Sequence, residues 1–166
     1  MSDEDNDDYD KAAAELFKDL GIDVTDPDED DLVNPVYHHP AGGWLYVGDQ
    51  RAAKNITLLN NLNIVAVVNC THNTTNYFPD KLSYCKFPVG KWKTECKGGE
   101  VGEVKRFVET LLMFLQANLK TGGSVLLHCL AGAHRAGTAA VLAIMAFKQV
   151  SVSQVSYLIL QLFNRK

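Results

Sequence analysis

The sequence predicts a single compact α/β domain in which a central mixed or parallel sheet is flanked by helices. Three observations carry this. Ile64 to Val68 is a continuous apolar run of strand length, the pattern of a parallel strand covered on both faces. Val104, Phe107, Val108, Leu111, Leu112, Leu115 and Leu119 recur at three- and four-residue spacing, which marks one core face of a long helix. Finally, the apolar run Ser124 to Leu127 is followed, after a short Gly-containing turn, by the Ala-rich segment Ala136 to Phe147, long enough for a buried helix.

The elements follow in order along the chain. His38-His39 beside Pro40 lies in a polar approach segment, to which no strand is assigned. Leu45 to Val47 is a short strand, Ala52 to Leu62 a helix, Ile64 to Val68 the buried strand and Leu82 to Val89 a further strand. The long helix stops at Gly122-Gly123, where two glycines end the periodic pattern. After Ala136 to Phe147, Ser151 to Phe163 is expected as the last helix, capped by Ser151 or Ser153.

The net charge of −4 conceals a division. Residues 1–31 hold fourteen of the twenty Asp and Glu against Lys11 and Lys18 alone, which makes that segment −12. The remaining fourteen Lys and Arg face six acids and leave residues 32–166 at +8. The first segment is expected to be a mostly disordered tail in which Ala12 to Leu20 forms a short helix with Leu16, Phe17 and Leu20 on one face. Attached to a basic domain, it is either a solvating segment or an internal competitor for the basic surface. No apolar run is long enough to span a bilayer, and the acidic N-terminus is the wrong chemistry for a signal peptide. Four Cys without metal-like spacing fit a reducing compartment, so a cytoplasmic or nuclear protein is expected.

The most informative stretch runs from Val125 to Thr138, where Cys129 and Arg135 stand six positions apart between a strand signal and a helix signal. A turn placed there faces a helix N-terminus. The N–H groups of a first helical turn lack intrahelical acceptors and the helix dipole is positive at that end, so a tetrahedral oxyanion is held by backbone. Arg135 adds a bidentate fork, and the same field favours an ionised, nucleophilic thiol at Cys129. A Cys and an Arg at this spacing are weak evidence alone. His128 before the Cys and Gly132 where the backbone must curl make them specific.

His128-Cys129-Leu130-Ala131-Gly132-Ala133-His134-Arg135 resembles the His-Cys-x-x-Gly-x-x-Arg signature of the cysteine-dependent protein phosphatases, and in detail their dual-specificity branch. Trp44 to Asn55, Leu58-Leu59 and Ile64 to Asn69 are similar to that family's opening strand, helix and second strand, and Tyr84 to Val89 to the strand leading to its general-acid loop. The resemblance implies a dual-specificity phosphatase-like fold over residues 32–166. It makes Cys129 the nucleophile, Arg135 the phosphate clamp and His128 the neighbour that helps hold the thiolate. Leu130, Ala131, Gly132, Ala133 and His134 would complete the phosphate-binding loop. The implied substrates are phosphorylated proteins, with phosphotyrosine and phosphoserine or phosphothreonine hydrolysed through a cysteinyl-phosphate, and no metal or cofactor is required.

The chain departs from the family pattern twice. Phe87-Pro88-Val89 is followed by Gly90-Lys91 where the family carries its Asp general acid, and the next carboxylates are Glu95, Glu100 and Glu103. Glu95 is the first choice for a substitute acid, since it lies in the loop ahead of the helix. The family's Ser or Thr after the Arg is Ala136 here, with Thr138 two positions on. Two other functions therefore stay open: a phosphatase of non-protein anions such as RNA 5′-phosphates, which the basic domain would suit, and a binding module that captures phosphorylated partners with little turnover. Aromatic residues interleaved with base-reading groups are not evident, which disfavours RNA.

Other reactive side chains are assigned ordinary roles. His38, His39 and His72 lack partners at ligand spacing and are surface histidines, while Cys70 and Cys85 are buried fillers on apolar strands. Cys96 falls in the basic loop from Lys91 to Lys97, where exposure would make it a redox partner for Cys129.

Overall fold

The computed structural model describes residues 32–97 and 99–150. The acidic segment 1–31 and the helix expected over Ser151 to Phe163 lie outside the described residues. Five strands form one sheet in the order β1-β2-β5-β3-β4, with β1 Val33–His38, β2 Trp44–Gly48, β3 Ile64–Asn69, β4 Ser83–Lys86 and β5 Ser124–His128. β1 pairs antiparallel with β2, and the other neighbours are parallel, so the sheet is mixed as expected.

β5 occupies the centre, and all five of its residues are buried. A strand hydrogen-bonded on both edges and covered on both faces favours apolar side chains on both, which is why Val125, Leu126 and Leu127 show no alternation and the polar residues are its ends, Ser124 and His128. Side chains leave it to two separate cores. Val125 and Leu127 join Leu45, Val47, Ala66 and Val68 beneath α4 (Val101–Leu119) and α5 (His134–Lys148). Leu126 joins Ile64 and Val67 beneath the short helices α1 (Gln50–Lys54) and α2 (Ile56–Asn61). The result is a sheet sandwiched between two helical layers.

The seven-residue apolar stripe expected for the long helix is the inner face of α4. Leu111, Leu115 and Leu119 are fully buried, and Phe107 and Leu112 pack at its margin. Gly122, at φ +83°, turns the chain back towards β5. Between β4 and α4 the chain forms a single 3-10 turn, Val89–Lys91, and the four-residue helix α3, Trp92–Glu95.

Three elements differ from the sequence reading, the first being β4, which spans Ser83–Lys86 where a strand over Leu82 to Val89 was expected, because Val89 opens the 3-10 turn. Residues 33–38 form β1, an edge strand with a register shift between Pro35 and Tyr37, rather than an unstructured approach. Pro35 is tolerated because an edge strand has one side free of ladder bonds. The single helix expected over Ala52 to Leu62 is instead two, because Asn55 leaves helical conformation at φ −95°, ψ 88° and its Oδ1 accepts from the Leu58 N–H at 3.0 Å. A capping side chain at that point starts a new helix rather than continuing the old one.

No helix among the described residues is long and apolar enough to cross a membrane.

The hairpin after β1 and the turn before β5 meet backbone to backbone. A Cβ built on Gly43 would collide with the Gly123 carbonyl oxygen and stand 2.8 Å from that of Leu119. Neither obstacle is a side chain that can rotate away. Gly43→Ala should therefore lower the unfolding free energy by about 1–3 kcal/mol, the usual cost of overpacking. Urea titration of the two proteins measures it, and equal midpoints would show that the hairpin can shift.

Candidate active site

The site forms where β5 ends. His128 closes the strand, Cys129 follows it, and residues 130–133 turn the chain into α5, which begins at His134. Strand, loop and helix thus place Cys129 and Arg135 at the carboxyl end of the central strand, where open α/β sheets bind ligands. Both are nearly enclosed, Cys129 at 2% exposure and Arg135 at 5%. No side chain caps α5, whose N-cap position is Ala133. The positive end of a fifteen-residue helix therefore faces the loop without a built-in anion.

The loop's curvature depends on Gly132. It sits at φ +76°, and a Cβ there would lie 2.8 Å from both the Asp49 nitrogen and the Gly48 carbonyl carbon. Only glycine combines that conformation with so close an approach. On the other side, the Gln50 N–H donates to the Leu130 carbonyl at 3.2 Å. The turn from β2 into α1 is thus the anvil against which the loop is bent. Asp49 secures this turn: it is buried, its Oδ1 accepts from the Ala52 N–H at 2.9 Å, and its Oδ2 accepts from Arg51 Nε at 2.6 Å. Sequence reasoning passed over Asp49, although an Asp after a strand and before Gln-Arg-Ala-Ala is an N-cap signal.

His128 projects from the opposite face of the sheet to Cys129, into a fully enclosed space beside Tyr77, with ring centroids 6.4 Å apart. The Tyr77 hydroxyl accepts from Gln50 Nε2 at 2.6 Å, and Lys54 Nζ lies 5.3 Å from the Tyr77 ring centre. Tyr77 was not anticipated. Burial drives the His128 imidazole down to about 4, and only partly do the Cys129 backbone and the Asp49 charge oppose it. Its ring nitrogens make no hydrogen bond of full geometry with the described residues; the Cys129 backbone is a weaker electrostatic neighbour. His128 is a neutral ring at neutral pH.

The candidate acids separate on inspection. Glu95 ends α3 with its side chain exposed, and Glu100 is exposed at the start of α4. Glu103 is held by Lys97 at 3.1 Å and Arg106 at 2.6 Å, and these hydrogen bonds, Lys97's first, lower its pKa. A carboxylate kept ionised in this way carries no proton to give. The 3-10 turn that opens their segment does pack against α5, the helix that carries Arg135. Ala136 turns its methyl into the core cluster that includes Cys129, and Thr138 Oγ1 donates to the His134 carbonyl at 2.9 Å within the helix. Ala136 supplies no hydroxyl at the position after the Arg.

Cys96 corrects the sequence reading. It is buried rather than exposed, because the turn after α3 folds inward. Burial raises its pKa, followed by the charges of Glu103 and Glu95, so it remains a protonated thiol. Cys70 is buried in the core as expected, and it also adjoins the site: its N–H donates to the His128 carbonyl at 2.8 Å, and after burial the charges of Cys129, Cys85 and Arg135 act on its thiol. His72 is exposed as expected, and exposed His38 stacks on Trp44 with ring centres 4.4 Å apart.

Two outcomes follow from this geometry. Gly132→Ala forces a side chain into the Gly48–Asp49 backbone at positive φ, which should cost about 1–3 kcal/mol of stability and abolish binding of a tetrahedral oxyanion such as tungstate. Calorimetric titration with tungstate checks it, and unaltered affinity would mean that the loop is not bent against that turn. For His128 the sign follows from its depressed pKa. Between about 6.5 and about 4 the unfolded chain binds the proton that the folded ring refuses. Stability contributed above 6.5 is therefore lost as pH falls through this window, by up to about tenfold in the folding equilibrium per pH unit. His128→Gln should flatten the profile in denaturant unfolding from pH 7 to 4; parallel profiles would refute the assignment.

Comparison with known proteins agrees with this architecture. Residues 45–164 match the family model described as the dual specificity phosphatase catalytic domain. Dual specificity protein phosphatase 1-A of Xenopus laevis is 24% identical over 111 residues, which is 67% of this chain and 28% of that protein. Dual specificity protein phosphatase 5 of Rattus norvegicus is 26% identical over 111 residues, covering 67% of this chain and 27% of its own. The matches thus span less than a third of these relatives' length. Among solved structures, human DUSP28 superimposes with a TM-score of 0.62 at 17% identity, over 79% of this chain and 80% of its own. A mouse putative dual specificity phosphatase complexed with zinc tungstate gives 0.61 at 18%, over 83% and 79%. With the family model matched over most of its length and the same fold around the loop of residues 128–135, the chain belongs to the dual-specificity phosphatase family.

Proposed function

We propose that the protein is a phosphoprotein phosphatase that hydrolyses phosphomonoesters through a cysteinyl-phosphate on Cys129. The observation that carries this reading is the enclosure of Cys129 and Arg135 at one end of β5, against the uncapped N-terminus of α5. In the first step the phosphoryl oxygens dock on the loop amides and the Arg135 guanidinium. The Cys129 sulfur attacks phosphorus in line, an S–P bond forms and the P–O ester bond breaks. Water then attacks phosphorus, the S–P bond breaks and inorganic phosphate leaves.

The leaving oxygen is the difficulty. Gly90-Lys91 occupies the place of the family's Asp, and Glu103 is held ionised. Glu95, the first choice, and Glu100 are the remaining candidates in the adjoining segment. Without an effective acid, phosphotyrosine and activated aryl esters, whose oxyanions leave more readily, are better substrates than phosphoserine or phosphothreonine. The same two departures, the lost Asp and the alanine at 136, favour a second reading in which phosphorylated partners are captured and turned over slowly. An RNA 5′-phosphate substrate remains a comparison substrate for the assay.

Cys129→Ser should abolish turnover and retain tungstate binding, whereas Arg135→Ala should lose both. Near wild-type turnover in Cys129→Ser would end the assignment. Measured kcat/KM should rise steeply as the leaving group improves. If Glu95 donates the proton, Glu95→Gln costs about 10²–10⁴ on phosphotyrosine and much less on an activated aryl phosphate. A flat dependence on leaving group in both proteins would show that another residue supplies the proton.

A further inference from the structure

The acidic segment joins the domain at the end of the sheet that carries Cys129. One row of paired residues crosses that end: Val33 with Gly48, Gly48 with His128, His128 with Asn69 and Asn69 with Lys86. β1 alone runs the other way, so the chain enters the row through Leu32 where the other four strands leave it. Packing there is tight. A Cβ built on Gly48 would stand 2.9 Å from the Leu32 carbonyl oxygen, and one built on Gly132 would stand 2.8 Å from the Gly48 carbonyl carbon. A single residue, Gly48, thus separates the entry of the acidic segment from the loop.

Directly before Leu32 stand Asp26-Pro27-Asp28-Glu29-Asp30-Asp31, five carboxylates in six residues. With neighbouring strands about 4.8 Å apart, the β5 position of the row is about 10 Å from β1 and the β4 position about 19 Å. Six extended residues reach about 20 Å. The ground within that reach is cationic. Exposed Lys86 ends the row and its charge acts on His128, exposed Lys54 lies over Tyr77 beside His128, and Lys91 ends the 3-10 turn that packs against α5. None of these three is ion-paired with a carboxylate among the described residues, whereas Asp49 is already held by Arg51. The uncapped N-terminus of α5 opens at the same end.

We propose that residues 26–31 lie across this end of the sheet as an intramolecular competitor, their carboxylates answering Lys54, Lys86 and Lys91, so that an anionic substrate must displace them to reach Cys129. Such competition requires residues 128–135 to be the phosphate-binding loop proposed above. Charge complementarity selects this occupant, since residues 1–31 carry −12 against +8 on the domain and this run is the part of them joined to the loop end of the sheet. A tether this short gives an effective concentration on the order of millimolar, so weak ion pairs suffice. Competition raises the apparent KM and leaves kcat unchanged, because the segment is displaced before the chemical step. Attraction between exposed charges fades beyond about 8–10 Å near physiological ionic strength, so salt relieves the inhibition.

The test uses the full chain at low salt. One variant neutralises the run (Asp26→Asn, Asp28→Asn, Glu29→Gln, Asp30→Asn and Asp31→Asn), and a control removes five charges farther along the sequence from Leu32 (Asp3→Asn, Glu4→Gln, Asp5→Asn, Asp7→Asn and Asp8→Asn). Calorimetric titration with tungstate should show about tenfold tighter binding in the first variant, within the range by which local charge alters anion capture, and little change in the control. On an aryl phosphate its KM should fall by a similar factor with kcat unchanged, and at high salt it should converge with wild type. Zero-length carbodiimide coupling of the dilute wild-type chain, read by peptide mass spectrometry, should join residues 26–31 to Lys54, Lys86 or Lys91 within one chain, through an amide formed with loss of one water. Equal tungstate affinity in wild type and the first variant, or an equal gain in the control, overturns the competitor while leaving the loop intact. Cross-links found only between chains assign the run to a second copy and overturn it as well. Tungstate bound by none of the three proteins overturns both the competitor and the loop.

Discussion

The close approach of Gly132 to the Gly48–Asp49 backbone is the constraint on which the site depends. A strand that runs straight into a helix would point its last side chains along the sheet. Here the chain instead curls through a positive φ, braced by one hydrogen bond from Gln50, and delivers the N-terminus of α5 beside Cys129. The brace has its own foundation. Asp49 caps α1 and is gripped by Arg51, and Gln50 ties the same helix to Tyr77, which walls in His128. The elements that bend the loop come from β2 and α1, eighty residues before it in sequence. Those that load it come from β5 and α5.

That distinction explains which parts could be read from residues alone. β3, β5 and α4 announce themselves because their burial imposes a pattern on every residue: uninterrupted apolar runs for central parallel strands, a three-and-four stripe for a helix laid on the sheet. β1 has no such obligation. It is an edge strand with Pro35 and His38 exposed, and its pairing rests on backbone bonds that leave little trace in side-chain identity. The break at Asn55 was missed for a related reason, since Asn is acceptable within a helix and decisive only when its side chain turns back to cap the next one. The signature loop was readable because its chemistry is local. Which residues surround it was not, because Asp49, Tyr77 and Cys70 arrive by sheet order and register.

Cysteine shows the same lesson most sharply. Judged by neighbours in sequence, Cys96 sits among lysines and looks exposed, and Cys70 follows an apolar strand and looks like a buried filler. The fold reverses the first reading, and it keeps Cys70 buried as expected while setting it beside the loop. α3 and the turn after it carry Cys96 inward, where burial first and then the charges of Glu103 and Glu95 raise the pKa of its thiol. The parallel pairing of β3 with β5 carries Cys70 to the side of Cys129. Reactivity follows the charges that surround a sulfur in three dimensions, and in a parallel sheet those come from strands distant in sequence.

The two departures from the family pattern act on different halves of the reaction, and their combined effect sets what the site does best. Holding a tetrahedral anion requires the loop amides, the helix terminus and Arg135, all of which are kept. Expelling the leaving oxygen requires a proton donor, and releasing phosphate from sulfur is eased by a hydroxyl. Those are the positions where Gly90-Lys91 and Ala136 now stand. On the reading proposed above, binding is preserved more fully than turnover, and selectivity shifts from the identity of the phosphorylated residue to the stability of the anion that it releases.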